Sequence, residues 1–225
     1  MKNELFRSLK TSLTTHLPGY DIEDGKIEKM VAFVILLCDW GQRMNLTSDK
    51  TPEKLLERHL VDCLMPFGDE RFTKPRVVSD IGSGAGMPAI LWAIAEPDML
   101  VYSIEKTGKK IEFQQHCVEQ LALENLIPVY SAYLETDLPG KSDLVVSRAF
   151  KEHTAFLKQI HRSGFNPPRI LFWMSRHVDI APQVENYKVH RIQKYTLQKT
   201  EMQARIVEYT LSPDKSKTEN KSLKK

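Results

Sequence analysis

Between Val77 and Pro88 the chain reads Val-Val-Ser-Asp-Ile-Gly-Ser-Gly-Ala-Gly-Met-Pro: a β-branched run, an acid, then three glycines at alternate positions. A strand ending at Ile81 and a helix starting near Pro88 leave a very tight turn between them. Gly82, Gly84 and Gly86 are needed there, for positive φ and for close approach of the backbone to a ligand. Pro88 suits the helix start, because its fixed φ fits and its missing N–H would go unbonded at that position anyway. Such a strand–turn–helix unit implies an α/β fold with a cradle for a nucleotide-like cofactor.

The spacing narrows the cofactor. A dinucleotide fingerprint reads G-x-G-x-x-G, and Met87 stands where its third glycine would fall. About twenty residues on, the next strand ends in Glu105, the residue type that accepts hydrogen bonds from a ribose diol. An adenosine without pyrophosphate, S-adenosyl-L-methionine, fits this combination. The bland alternative is a glycine turn that merely tightens a β–α connection; Asp80 before the turn and Glu105 after it weigh against that.

Helical and alternating stretches divide the chain. Leu5, Leu9, Leu13 and Leu17 form a stripe at helical spacing, and Ile27, Met30, Val31, Val34 and Leu37 form a second, closed by Gly41. A third helix is expected from a Thr51 cap and Pro52, burying Leu55, Leu56, Leu60 and Leu64. Strands are expected at 77–81, 99–105, about 127–131, 143–147 and 170–174, alternating with helices, hence a parallel sheet covered on both faces. Two alternating stretches, 191–197 and 205–211, read as an antiparallel hairpin at a sheet edge. The plan is a Rossmann-like, seven-stranded, mostly parallel sheet of the class I S-adenosylmethionine-dependent methyltransferase type. It divides into an N-terminal helical extension (1–70), a methyltransferase domain (71–211) and a disordered basic tail (212–225).

In an open parallel sheet the ligand lies beyond the carboxyl ends of the strands. Tyr133 and Leu134, after the third strand, can wall an adenine ring, with ordinary loop packing as the alternative. Arg148, directly after the fourth, stays protonated and cannot be a base. It can clamp a methionine carboxylate, a phosphate or guanine O6, or form a structural salt bridge. Arg43, Asn45, Arg58 and His59 place polar groups in an otherwise apolar stretch. On spacing alone these segments are structural: Arg58 and Asp62, four apart, pair on one helix face.

Composition excludes some classes. No apolar run is long enough to span a bilayer, and no secretory signal is apparent, so a cytoplasmic protein is expected. Cys38, Cys63 and Cys117 read as buried reduced thiols, and no metal-binding pattern occurs among the seven histidines. The net charge of +3 resides in the last fourteen residues, whose five lysines face only Asp214 and Glu219. That tail can add salt-dependent affinity for RNA phosphates or be a plain solvated terminus.

Five stretches, in order, resemble the bacterial glucose-inhibited division protein B family of small-subunit rRNA methyltransferases. They are Arg43-Met44-Asn45-Leu46-Thr47, Arg58-His59-Leu60-Val61-Asp62, Asp80 through Pro88, Gly108-Lys109-Lys110 and Ser147-Arg148-Ala149-Phe150. The resemblance implies transfer of a methyl group from S-adenosyl-L-methionine to N7 of a guanosine in 16S rRNA, with the rRNA or the small ribosomal subunit as partner. A monomer, without metal or membrane, is expected. By the resemblance, Gly82, Met87, Tyr133, Leu134 and Arg148 stand where the family binds the cofactor, joining Asp80, Gly84, Gly86 and Glu105. Arg43, Asn45, Arg58 and His59 become candidates for substrate contact, and Arg148 the candidate catalytic residue. The chain departs from the family's usual residues at Ala89, Ala132, Leu134 and Met174-Ser175. A same-fold methyltransferase with a diverged substrate, or a non-catalytic RNA-binding relative, are the other readings.

Guanine N7 carries a lone pair and no proton, so its methylation needs no general base. Positioning is the protein's task, and a carboxylate near the purine would offset the positive charge that grows there.

Overall fold

The computed structural model describes residues 1–49, 51–131, 141–148, 152–198 and 200–212. Its strands are β1 (Val77–Ile81), β2 (Leu100–Glu105), β3 (Leu126–Tyr130), β4 (Leu144–Ser147), β5 (Arg169–Ser175), β6 (Gln183–Val184), β7 (Tyr187–Leu197) and β8 (Met202–Leu211). They form one sheet in the order β3-β2-β1-β4-β5-β8-β7-β6. β1 to β5 pair in parallel, and β8 runs antiparallel between β5 and β7. This is the expected class I plan with one strand more: β6 has two residues, too few for any alternation to show. The hairpin strands also begin earlier than the sequence pattern suggested. A register shift between Val189 and Arg191 interrupts the alternation there, as a bulge does.

Strand side chains alternate between two apolar layers. Val78, Val101, Val146, Leu171 and Ile206 face one layer; Ile81, Ile104, Val145, Phe172 and Val207 face the other. The first is covered by α5 (Ala89–Ala95) and α6 (Gly108–Leu121) together with the N-terminal helices. The second is covered by α7 (His153–Arg162), through Phe156, Leu157 and Ile160. Burial on both faces is what makes the strands near-continuous apolar runs.

The N-terminal region contributes α1 (Lys2–His16) and α2 (Asp24–Gly41), each burying its expected stripe. The third expected helix is not one element. It runs as α3 (Pro52–Leu55), a π-helical stretch (Leu56–Leu60), α4 (Val61–Leu64) and a 3₁₀ turn (Met65–Gly68). Pro66 accounts for part of this, since it has no N–H to give to the carbonyl of Asp62 one turn back. That carbonyl accepts instead from the indole N–H of Trp173 at 2.9 Å, and the carbonyl of Cys63 accepts from Trp92 at 2.8 Å. Two long-range bonds thus replace helical ones and fix α4 against the sheet.

All three cysteines are free; Cys63 and Cys117 are buried as expected, whereas Cys38 is only half-buried. The expected basic tail lies outside the described residues apart from Ser212. Among the described residues no helix is long and apolar enough to cross a membrane.

Candidate active site

β1 has β2 on one side and β4 on the other, so the chain reverses its direction of winding at β1. The glycine turn leaves from that switch point. Gly82, Gly84 and Gly86 have φ of +75°, +61° and +85°, which explains the residue type at all three. Their surroundings differ. A Cβ on Gly86 would lie 2.4 Å from Ile90 Cδ1, so this glycine lets the following helix pack. A Cβ on Gly82 or Gly84 would meet nothing within 4 Å among the described residues, so against these the bare backbone faces open space.

Three side chains hold the turn. Glu105, buried at the end of β2, accepts the N–H of Gly84 and the N–H of Thr107, both at 3.0 Å. Gln114 of α6 donates its amide to Ser83 Oγ (3.0 Å) and to the carbonyl of Gly84 (2.8 Å). Asp80 accepts the N–H of Ala89 at 3.1 Å, at the start of α5. The helix begins at Ala89, one residue later than Pro88, which occupies its cap position. Burial pushes the Asp80 carboxyl up to about 7, against the pull of the Ala89 N–H and of Arg148. Its other oxygen is buried without a hydrogen-bond partner among the described residues.

A second cluster lies at the end of β4. Arg148 donates from Nε to Asp62 at 2.8 Å and from Nη2 to His59 Nδ1 at 2.7 Å. Nδ1 is therefore the acceptor nitrogen of a neutral imidazole, and Nε2–H donates to Asp49 at 2.8 Å. Burial lowers the His59 pKa, Arg148 lowers it further, and Asp49 opposes both. The Tyr195 hydroxyl donates to the second oxygen of Asp62. His59 and Asp62 thus meet on one guanidinium, with Asp49 and Tyr195 bonded behind them, and Ser147 Oγ, bonded to the carbonyl of Ile81 at 3.0 Å, ties this strand end to that of β1.

The expected Arg58–Asp62 pair is not formed. Asp62 points inward to Arg148 and Tyr195, and Arg58 reaches Asp49 at 3.4 Å instead. The intervening π-helical stretch changes the spacing of faces on which an i, i+4 pair depends. Arg43 is exposed beside Trp40 and His116, with which it lines a cavity of ≈330 Å³, and Asn45 is exposed on the turn that follows. Met87 packs against the first apolar layer. Tyr133 and Leu134 lie outside the described residues.

Sequence reading missed Gln114, Asp49, Asp62 as a partner of Arg148, and Tyr195. Only Gln114 carried a signal: it is a polar residue between Ile111 and Val118 on the side of α6 that faces the core, and it is fully buried. Among the described residues no group of three or more His, Cys, Asp or Glu could hold a metal ion.

Known proteins share this architecture. The structure overlays on cofactor-bound Rv0187 from MTB with a TM-score of 0.59 at 16% identity, covering 91% of this chain and 96% of that one. TrmN from Thermus thermophilus gives a TM-score of 0.51 at 14% identity, covering 69% and 53%. Both likenesses are of fold. In sequence, a protein of Chromohalobacter salexigens named ribosomal RNA small subunit methyltransferase G is 35% identical over 140 residues. One of the same name from Vibrio cholerae is 36% identical over 148 residues. These matches take in 62% and 64% of this chain and span 65% and 64% of the relatives' own lengths. The model of the GidB family, described as rRNA small subunit methyltransferase G, matches residues 26–207, and by that match this chain belongs to the family.

Proposed function

We propose that the chain transfers the methyl group of S-adenosyl-L-methionine to N7 of a guanosine in 16S rRNA, presented as the free RNA or within the small ribosomal subunit. The observation that carries this reading is the bare backbone of Gly82 and Gly84 at the carboxyl end of β1, with Glu105 directly beside it. Membership of the GidB family supports it.

The residues fit the cofactor. A turn on which a side chain at Gly82 or Gly84 would meet no atom of the described residues, next to a carboxylate that retains lone pairs for a ribose diol, is the donor set an adenosyl group asks for. The backbone of Gly82 and Gly84 would hold its amino-acid end and Glu105 its ribose, with Asp80, Gly86 and Met87 shaping the turn beneath. When bound, the cofactor supplies an electrophilic methyl group. The chain's own work is then alignment and exclusion of water, where proximity alone is worth roughly 7–11 kcal/mol. Asp62, its charge balanced by Arg148, keeps that guanidinium in place at the end of β4. Arg43, Asn45 and Arg58, all exposed, are suited to face the RNA.

Calorimetric titration with S-adenosyl-L-methionine, followed by methyl transfer to small subunits from cells deleted for the gene, tests the reading. Mass mapping should place one added methyl on a guanine. Tight cofactor binding without transfer to any rRNA guanine would instead favour the same-fold enzyme with a different substrate.

A further inference from the structure

A cavity of ≈460 Å³ opens where the carboxyl ends of β4 and β5 meet the start of the antiparallel β8. Trp173, Met174 and Met202 supply apolar walls, Ala204 a small one, and Asp62 and Arg148 its charged edge. Trp173 belongs to one apolar layer and Met174 to the other, so the cavity straddles the top rim of the sheet. It lies two strands along from β1. With strands about 4.8 Å apart, the two sites are on the order of 10 Å from each other, within reach of one methyl donor seated on the glycine turn.

We propose that this cavity seats the guanine to be methylated, extruded from the RNA, with the Arg148–Asp62 pair against its edge; this rests on the rRNA reading above and names the place of its substrate. Three observations select a base over other occupants. The walls are apolar and polarisable, as a flat heterocycle prefers. Asp62 lines the cavity paired with Arg148 and bonded by Tyr195, so this edge has no net charge to draw an anion such as a phosphate or the cofactor's own carboxylate, and suits a neutral polar ring. Arg148 has committed Nε and Nη2 to Asp62 and His59, so the Nε/Nη2 edge of the guanidinium is not open to grip O6 and N7 together. Among the described residues Nη1 has no hydrogen-bond partner; donating to O6 alone, it would leave the N7 lone pair unblocked for attack.

The C-terminal hairpin therefore enters the site through Met202 and Ala204, which share one face of β8. The test is Ala204→Leu, with Met202→Trp as a second variant should the first fold poorly. Cofactor affinity by calorimetry, affinity for undermethylated small subunits by filter binding, and kcat are measured on each, with thermal unfolding to confirm the fold. The proposal expects cofactor and subunit affinities within about threefold of the parent and kcat reduced by at least about tenfold, because the base can no longer be seated for in-line attack. Unchanged kcat in both folded variants overturns it. So does a loss confined to cofactor affinity, which would assign the cavity to the donor. Failure of the parent chain to methylate any rRNA guanine, with cofactor bound, removes the rRNA reading itself and the guanine seat with it.

Discussion

Glu105, at the end of β2, accepts the backbone N–H of Gly84 at 3.0 Å, so a carboxylate on one strand holds the turn that follows its neighbour. The turn keeps its left-handed shape only while residue 84 lacks a Cβ. Gly84→Ala, at φ +61°, is expected to cost about 1–2 kcal/mol of stability. Its methyl would also project into the open space over the turn, so affinity for S-adenosyl-L-methionine should fall by at least about tenfold. Denaturant unfolding and calorimetry read the two effects separately, and unaltered cofactor affinity would argue against the cradle.

Gln114 is the other clamp. Gln114→Leu conserves bulk but leaves Ser83 Oγ and the Gly84 carbonyl without their donor, at an expected cost of about 1–3 kcal/mol. Cofactor affinity should weaken alongside stability. A variant as stable and as tightly binding as the parent would show that the turn is held by Glu105 alone.

The Arg148–Asp62 pair is buried enough that breaking it from either side strands a charge. Arg148→Met and Asp62→Asn should each cost about 3–5 kcal/mol, and the double variant clearly less than their sum. Urea unfolding of the three variants completes the cycle. Strict additivity would mean that the two groups do not interact.

Acid should weaken the fold through Asp69. The Arg71 guanidinium, with Arg191 adding to it against the opposing effect of burial, holds this carboxyl down at about 2, below its ordinary 3.8. A carboxyl depressed in the folded state contributes stability that is present above the unfolded value and lost as pH falls towards the folded one. Asp69→Asn should therefore flatten the loss of stability between about pH 4 and pH 2, measured by urea midpoints.

Asp80 has the opposite sign. Burial raises its folded value to about 7, so the folded chain binds a proton that the unfolded chain has released above about pH 4. Stability from this group falls as pH rises from about 4 through 7, and Asp80→Asn should remove that fall. Equal slopes for parent and variant in unfolding midpoints at pH 4.5 to about 8 would contradict it.

Local chemistry made much of the molecule readable. The glycine turn, β1 and Glu105 stand where spacing put them, because a strand, a positive-φ turn and a helix start each demand particular residues within a dozen positions. What escaped was set by partners far along the chain. Asp62 looked like a helix-face partner for Arg58, but its mate Arg148 is 86 residues away and Tyr195 is 133 away, and no local pattern encodes either pairing. The broken third helix escaped for a related reason. Its apolar positions suit a continuous helix, while Pro66 and two indole N–H groups from elsewhere divide it. The bulge at Val189 hid the first residues of β7 by interrupting the one signal that marks a strand.

The segment linking the helices to the sheet is fastened at both rims. Arg148 grips Asp62 at the carboxyl rim, and at the opposite rim Arg191 bonds Asp69 at 2.6 Å and Glu208 at 2.9 Å while its guanidinium lies 5.4 Å from the centre of the Phe72 ring. A span moored at two such points makes a poor hinge. On the rRNA reading proposed above, it would give an incoming nucleic acid a preset berth, so that the bending and unstacking docking demands fall to the RNA, and sequences or subunit states that unstack cheaply gain the advantage.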